Sequence, residues 1–330
     1  MKAVRYHQKG APEVLVYEDV ADPTPGPGQV LLRVLASGVN HADATRRSGH
    51  HYPRPTPLPF TPGSEVVGVI DKLGPGVTNI ALGTTVIAWL PQGGYAELAV
   101  ADATELLPVP AGVAPAEALA LIIQGLSAAL IVKRSARLQT GETVLIEGAA
   151  GGVGVIALQL AKIYGAGKII GMASTREKRD LVLSLGADVA IDYTQPEWPD
   201  QVRAANGGKP VDVILEMTGG DVFEKALDCL APFGRMVAYG NASRQPMMLN
   251  VQRLLPLNQS VTGFFLSGFV QAQGANGKAF TEALLAELGG YVRDGRLRLQ
   301  VDQRFKLSQA AEAHRALESR QTTGKVVLIP

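Results

Sequence analysis

The stretch Glu142 to Lys162, ETVLIEGAAGGVGVIALQLAK, constrains what this chain can fold into more than any other. Thr143 to Ile146 is a short apolar run suited to a buried parallel strand. Gly148 to Gly154 is a tight Gly/Ala turn, and helical spacing begins at Val155. Along the turn, Ala149, Gly151 and Gly154 occupy the slots of G-x-G-x-x-G, with alanine in the first. Small residues there let the backbone approach a pyrophosphate, and a helix start supplies free N–H groups and a positive dipole end. A surface loop would share the glycines but not the strand before them and the helix after. The spacing therefore predicts a dinucleotide site, with Ala150, Gly151, Gly152 and Val153 as cofactor contacts.

The strand–helix rhythm continues downstream. Strands are expected at Lys168–Met172, Val189–Ile191, Val211–Glu216, Met236–Tyr239 and Ser260–Phe264, separated by helical segments such as REKRDLVLSLG and DVFEKALDCL. Strands alternating with helices predict an α/β, doubly wound parallel sheet. From Lys2 to Val100 the texture differs, with short β-type runs broken by DPTPGPGQ and YPRPTPLPFTPG, which suits a small barrel or sandwich. APAEALALIIQGLSAALIVK, interrupted by Gly125, reads as a linking helix pair. After about Ser267 come helices at Phe280–Val292 and Ser308–Ser319 and a last strand in Lys325–Ile329, a tail that most economically completes the first domain.

At 330 residues, 46% of them apolar, the chain can bury a large core in two domains. A formal charge of +1, from 31 basic and 30 acidic residues, gives no overall field for nucleic acid or an anionic membrane, so small-molecule partners are expected. No apolar run nears the ~20 residues that cross a bilayer, and MKAVRYHQKG has no signal-peptide core, which points to a cytoplasmic protein without a membrane partner. Cys229, the single cysteine, excludes an intrachain disulfide and a four-cysteine zinc lobe, and reads as a core thiol.

GVNHAD at Gly38–Asp43, PGSEVVGVI at Pro62–Ile70, GGYAELA at Gly93–Ala99, QGLSAA at Gln124–Ala129, GAAGGVG, LGAD at Leu185–Asp188 and GKVVL at Gly324–Leu328 follow one another as in the medium-chain dehydrogenases/reductases. Within that superfamily the chain most resembles the zinc-free quinone oxidoreductases, the zeta-crystallin-like branch, over essentially its whole length. The resemblance implies a Rossmann domain inserted into a GroES-like β-barrel domain, with residues 119–266 forming the first and 1–118 with 267–330 the second, and a homodimer. It also places cofactor contacts at Ser174, Lys178 and Tyr193, and the nicotinamide near Gln124 to Ser127 and beside Gly263–Leu266, which includes Phe264 and Phe265. Zinc-dependent members carry ligands at the positions of Asn40, Ser64 and Gln124, so no metal is expected here, although His41, His50 and His51 cluster in the sequence.

A nicotinamide enzyme without zinc lacks the several kcal/mol that a Lewis acid gives by polarising an oxygen, so its acceptor must already be electrophilic. Quinones and activated enones delocalise the incoming charge onto a conjugated oxygen. The end of the second sheet strand bears on the cofactor. An NAD enzyme usually places an acid about 20 residues past the glycine motif to hold the ribose 2′-OH. Ala173 stands there, followed by Ser174, Arg176, Lys178 and Arg179, which favours the 2′-phosphate of NADPH. On the acceptor side the resemblance singles out Asn40 to hydrogen-bond the substrate oxygen, Asp43 to touch substrate or brace its loop, and Tyr52 as a pocket tyrosine. Relatives carry a tyrosine shortly after the aspartate where this chain has Thr45 and Arg46, which leaves the proton donor unassigned. The expected activity is NADPH-dependent hydride transfer to a quinone or similar conjugated carbonyl. An enoyl or 2-alkenal double-bond reductase, or an NADPH-binding protein with incidental activity, would use the same cofactor residues.

Overall fold

The computed structural model describes residues 1–301 and 303–330. They form two compact units: Met1–Ile123 with Lys278–Arg293 and Gln300–Pro330, and Gln124–Gly277 with Asp294–Leu299. The expected boundaries at 118 and 266 fall earlier than these, and nothing in the sequence marks the short return at Asp294–Leu299.

The first unit opens with β1 (Lys2–Arg5), β2 (Val16–Asp19) and the long β3 (Gln29–Val39), followed by α1 (His41–Ser48), β4 (Glu65–Leu73), β5 (Thr85–Trp89), β6 (Leu98–Asp102) and β7 (Leu106–Pro108). Alternate residues of β3 and β4 point into one core, where Val30, Leu32 and Val34 meet Val66 and Ile70. Next comes a helical run, α2 (Pro115–Ala120) and α3 (Leu126–Leu130), joined and followed by π-helical turns at Leu121–Gly125 and Ile131–Ser135. Gly125 therefore does not split this run into a helix pair. At 21 residues, Pro115–Ser135 is also long and apolar enough to cross a membrane by length and composition, which corrects the sequence expectation; 78% of its most apolar window is buried inside the fold, as in a core helix.

The second unit supplies β8 (Thr143–Ile146), α4 (Gly154–Ile163), β9 (Lys168–Met172), α5 (Arg176–Ser184), β10 (Val189–Ile191), α6 (Trp198–Ala205), β11 (Val211–Glu216), α7 (Asp221–Leu227), β12 (Leu230–Ala238), β13 (Ser260–Gly263) and α8 (Leu266–Ala272). Its six strands are all parallel, in the order β10-β9-β8-β11-β12-β13. That is the doubly wound dinucleotide-binding order, and it reverses direction between β8 and β11, where such sheets bind ligands beyond their carboxyl ends. One element differs from expectation: DVFEKALDCL leaves the helix at Leu227, and β12 begins at Leu230 rather than Met236. The ladder to β11 jumps from Val211↔Leu230 to Val213↔Arg235, so Ala231 to Gly234 bulge out, with Phe233 at φ +59. Cys229 is buried in the adjoining core with Leu145, Trp198 and Phe223, and burial pushes its thiol up to about 11.

The tail adds α9 (Gly277–Arg293), β14 (Gln303–Lys306), α10 (Ala310–Glu318) and β15 (Val326–Ile329). β15 pairs antiparallel with β3, and β14 pairs parallel with β15, giving a seven-stranded sheet β14-β15-β3-β4-β5-β7 with β6 on β3. Nothing in QRFK marks β14 in advance. The first unit is thus completed from both ends of the chain.

Candidate cofactor and acceptor site

The glycine turn lies at the carboxyl end of the central strand β8. Gly148 has φ +55, a conformation side chains disfavour, and a Cβ there would lie 2.7 Å from Met217 Sδ. A Cβ on Gly154 would sit 2.3 Å from the Gly148 carbonyl oxygen, so the helix start packs directly on the turn. The turn is pinned by Ala149 N–H to Met172 O at 3.0 Å and Gly151 N–H to Gly148 O at 2.8 Å. Ala150 is buried, whereas Gly151, Gly152 and Val153 are partly open just ahead of α4, whose first helical bonds run from Val155 N–H to Gly151 O at 2.9 Å and from Ala157 N–H to Val153 O at 2.8 Å. This cradle, shaped by absent side chains at a helix start, fits a pyrophosphate.

At the neighbouring strand end, Ala173 is buried and its N–H bonds Ile191 O at 3.0 Å, so no acid occupies the ribose position. Thr175 caps α5 by accepting from the Lys178 N–H at 3.3 Å, which sets Ser174, Arg176 and Lys178 around the helix start. Arg176 is highly exposed. Arg179 is committed elsewhere: it donates to the carbonyls of Ala173 and Ser174 and pairs with Asp192 at 2.9 Å, bracing the strand end. Tyr193 packs half-buried against the core of this unit. Gln124, in the first π-helical turn, and Ser127 in α3 are buried, while Phe264 sits 6.1 Å from Phe269 and Phe265 is exposed.

In the first unit, Asn40 and Asp43 are buried at the start of α1. Asn40 Nδ2 donates to Glu65 Oε1 at 2.9 Å and its Oδ1 accepts from Lys325 Nζ at 3.0 Å. That arrangement fixes the amide, because the flipped rotamer would set its NH2 against the ammonium. Lys325 and Glu65, 1% and 0% exposed, form an ion pair across it. Glu65 lies over Gly38, where a Cβ would sit 2.2 Å from Oε1. Asp43 accepts from the N–H of Asn40 at 3.0 Å, the N–H of Gly63 at 3.3 Å and the Tyr95 hydroxyl at 3.4 Å. Burial pushes Asp43 up to about 6 despite the Asn40 N–H and the charge of Lys325, which favour its ionised form.

Tyr95 continues inward. Arg47 can only donate, so its Nε bond to His314 Nδ1 at 3.3 Å leaves the ring proton on Nε2, which donates to the Tyr95 oxygen at 3.0 Å. Burial and the guanidinium of Arg47 push His314 down to about 3, so the ring stays neutral. Arg47 also pairs with Glu318. Tyr52 is half-buried with the Arg46 guanidinium 5.1 Å from its ring; Arg46 also lies 4.2 Å from the Phe60 ring and donates to the Pro55 and Pro91 carbonyls. Arg46 thus fills the loop, and Thr45 donates to His41 O. Glu65, Tyr95, His314 and Lys325 escape sequence reasoning because their partners are remote in the chain.

Asn40, Ser64 and Gln124 stand where zinc-dependent members carry cysteine, histidine and cysteine. Among the described residues, no three His, Cys, Asp or Glu side chains gather to hold a metal ion, and His41, His50 and His51 are exposed. Two family models match: an alcohol dehydrogenase GroES-like domain over residues 26–111, and one described as zinc-binding dehydrogenase over 152–281, a stretch that contains none of those three positions. A quinone oxidoreductase from Pseudomonas aeruginosa is 36% identical over 100% of this chain and 99% of its own. The chain belongs to the quinone oxidoreductase family of medium-chain dehydrogenases/reductases. Another member-like relative, a 2-haloacrylate reductase from Burkholderia, is 35% identical over 98% of the chain and 97% of its own. Among solved structures, the Escherichia coli quinone oxidoreductase complexed with NADPH superposes with a TM-score of 0.91, at 31% identity and full coverage of both chains. The family's two domains, GroES-like and Rossmann, account for the two units.

Proposed function

We propose that this quinone oxidoreductase family member is an NADPH-dependent reductase that passes hydride to a quinone or similar conjugated carbonyl acceptor without a metal. The observation that carries the reading is the pyrophosphate cradle at Gly148–Gly154 beside a strand end that holds Ala173 in place of an acid. When bound, the nicotinamide supplies the hydride. The chain's own residues do the rest. Ala150 to Val153 receive the pyrophosphate, Ser174, Arg176 and Lys178 the 2′-phosphate, Tyr193 the adenosine end, and Gln124, Ser127, Phe264 and Phe265 the nicotinamide end. Asn40, held in one rotamer by Glu65 and Lys325, presents an amide to the acceptor oxygen, Tyr52 lines the acceptor's surroundings, and Asp43 braces the backbone at Asn40. Hydroquinone oxygens can take protons from water, so no dedicated acid is required.

A homodimer accompanies this reading. Among the described residues β13 ends the sheet with an unpaired edge, and Met248, Val251 and Leu255 nearby in sequence are 71%, 60% and 68% exposed. The Burkholderia relative, named for a haloacrylate, favours an alkene acceptor as the second reading.

Steady-state NADPH oxidation with 1,4-benzoquinone, 9,10-phenanthrenequinone and 2-hexenal tests the assignment. Turnover of the quinones is expected; activity confined to 2-hexenal would select the alkene reading, and no turnover on any acceptor would sink the enzyme claim. In the same assay Lys178→Ala should raise KM for NADPH about tenfold, the loss of one charge-assisted hydrogen bond, and leave NADH use nearly unchanged. Equal effects on both nucleotides would refute the 2′-phosphate assignment.

A further inference from the structure

Two buried acids straddle the point where the sheet order reverses, and none of the roles above uses them. Ile146 of β8 pairs with Leu215 of β11, and the Glu147 N–H bonds Leu215 O at 3.0 Å. The next residues along these parallel strands, Glu147 and Glu216, therefore stand side by side on the same face, about one strand spacing of ~4.8 Å apart. Their side chains are 1% and 0% exposed. Glu216 Oε1 accepts from the Gly219 N–H at 2.6 Å, whereas Glu216 Oε2 and both oxygens of Glu147 have no hydrogen-bond partner of ordinary geometry among the described residues. Two carboxylates this close in a dry interior cannot both carry charge, so the pair retains a proton.

The pair is mechanically linked to the glycine turn. Glu216 leads directly into Met217, whose sulfur lies against Gly148, at the 2.7 Å that a Cβ there would meet. Gly219 and Gly220 follow at φ +76 and +58, and added Cβ atoms would lie 2.3 Å from Asn241 Oδ1 and 2.7 Å from Gln245 Oε1. The loop is thus wedged between the pyrophosphate turn and residues 241–245, with little room for a shift that the turn would not feel.

We infer that Glu147 and Glu216 are positioning residues: as a singly or doubly protonated pair they hold the Met217–Gly220 loop, and through Met217 the pyrophosphate turn, in its nucleotide-binding form. Loss of the shared proton drives the carboxylates apart and loosens the turn. The inference rests on the cofactor reading above. Burial, then the neighbouring Glu216, push Glu147 up to about 8, tempered by the hydroxyl and N–H of Thr218 and the N–H of Met217 nearby; Glu216 is raised as well, again by burial. The other titratable groups facing the pair are Tyr239, beyond the end of β12, and Cys229, after α7, and both are pushed up and stay neutral at these pH values. Arg203, Asp200 and Asp228 act on Cys229 from the far side.

The test is the dissociation constant of NADPH and of NADH, from intrinsic fluorescence of the full-length apoprotein, between pH 6 and 9.5, with the carboxylic-acid C=O infrared band followed in parallel. The expected result is a Kd that rises for both nucleotides above about pH 8, by up to ~tenfold per pH unit if binding requires the proton, as the acid band disappears. Glu147→Gln, which mimics the protonated acid, should abolish that slope whatever its affinity at pH 7; Glu216→Gln serves if the first variant does not fold. A flat wild-type profile, a slope that survives in the variant, a rise confined to NADPH, or an absent acid band at pH 7 would each overturn the inference. Failure of both nucleotides to bind at pH 7 would instead overturn the cofactor reading, and this inference with it.

Discussion

The two units bury acid in opposite ways. In the first, Glu65 is met by the Lys325 ammonium and the Asn40 amide, and Asp43 by two backbone N–H groups and the Tyr95 hydroxyl. In the second, Glu147 and Glu216 face each other with no cation between them, met only by the Gly219 N–H and the neutral groups of Met217 and Thr218 nearby. Compensated charges make a frame whose stability should stop changing with pH once Asp43 has ionised, above about 6. An uncompensated pair depends on a proton instead, and the structure that rests on it inherits that dependence.

The most severe way to break the comparison is to remove the compensation. Lys325→Met leaves Glu65 buried and charged without its partner and should cost about 3–5 kcal/mol of stability in guanidinium unfolding, with much of the loss restored by adding Glu65→Gln. A single-variant cost below about 1 kcal/mol would mean that the ion pair does not hold this frame.

A smaller effect separates the units by pH. An acid held neutral in the fold contributes stability that is complete below its unfolded value and lost as pH rises to its folded one. For Asp43 that window runs from 3.8 to about 6, and for Glu147 from 4.5 to about 8. Apoprotein stability should therefore keep falling between pH 6 and 8, by about 2 kcal/mol, and Glu147→Gln should flatten that part of the curve, while the fall that Asp43 contributes below pH 6 remains, made shallower between pH 4.5 and 6 by the loss of the Glu147 share. An unchanged slope in the variant would assign the loss elsewhere.

The same contrast explains how much was legible in the sequence. The glycine turn, the strand after it and the missing acid at Ala173 are local patterns, written within one βα repeat, and they led directly to the sheet order. The bulge at Ala231–Gly234 and the strand QRFK were not, because pairing with a neighbour strand, rather than local periodicity, makes them β. Asn40 and Asp43 were visible as chemistry but not in their bonding. Lys325 is 260 residues from Glu65, and His314 is 267 from Arg47; β15 joining β3, and α10 against α1, bring them together. Glu147 and Glu216 are unremarkable in the chain and become a pair only through the β8–β11 register.

The central claim is hydride transfer from NADPH to a conjugated acceptor by protein groups alone, on a frame whose zinc-ligand positions hold Asn40, Ser64 and Gln124. Single-turnover oxidation of bound NADPH by 1,4-benzoquinone, measured before and after exhaustive chelation, tests it most directly. The account predicts the same rate in both samples, with a primary isotope effect when the transferred hydrogen is deuterium. A rate that collapses on chelation and returns with added zinc would contradict it.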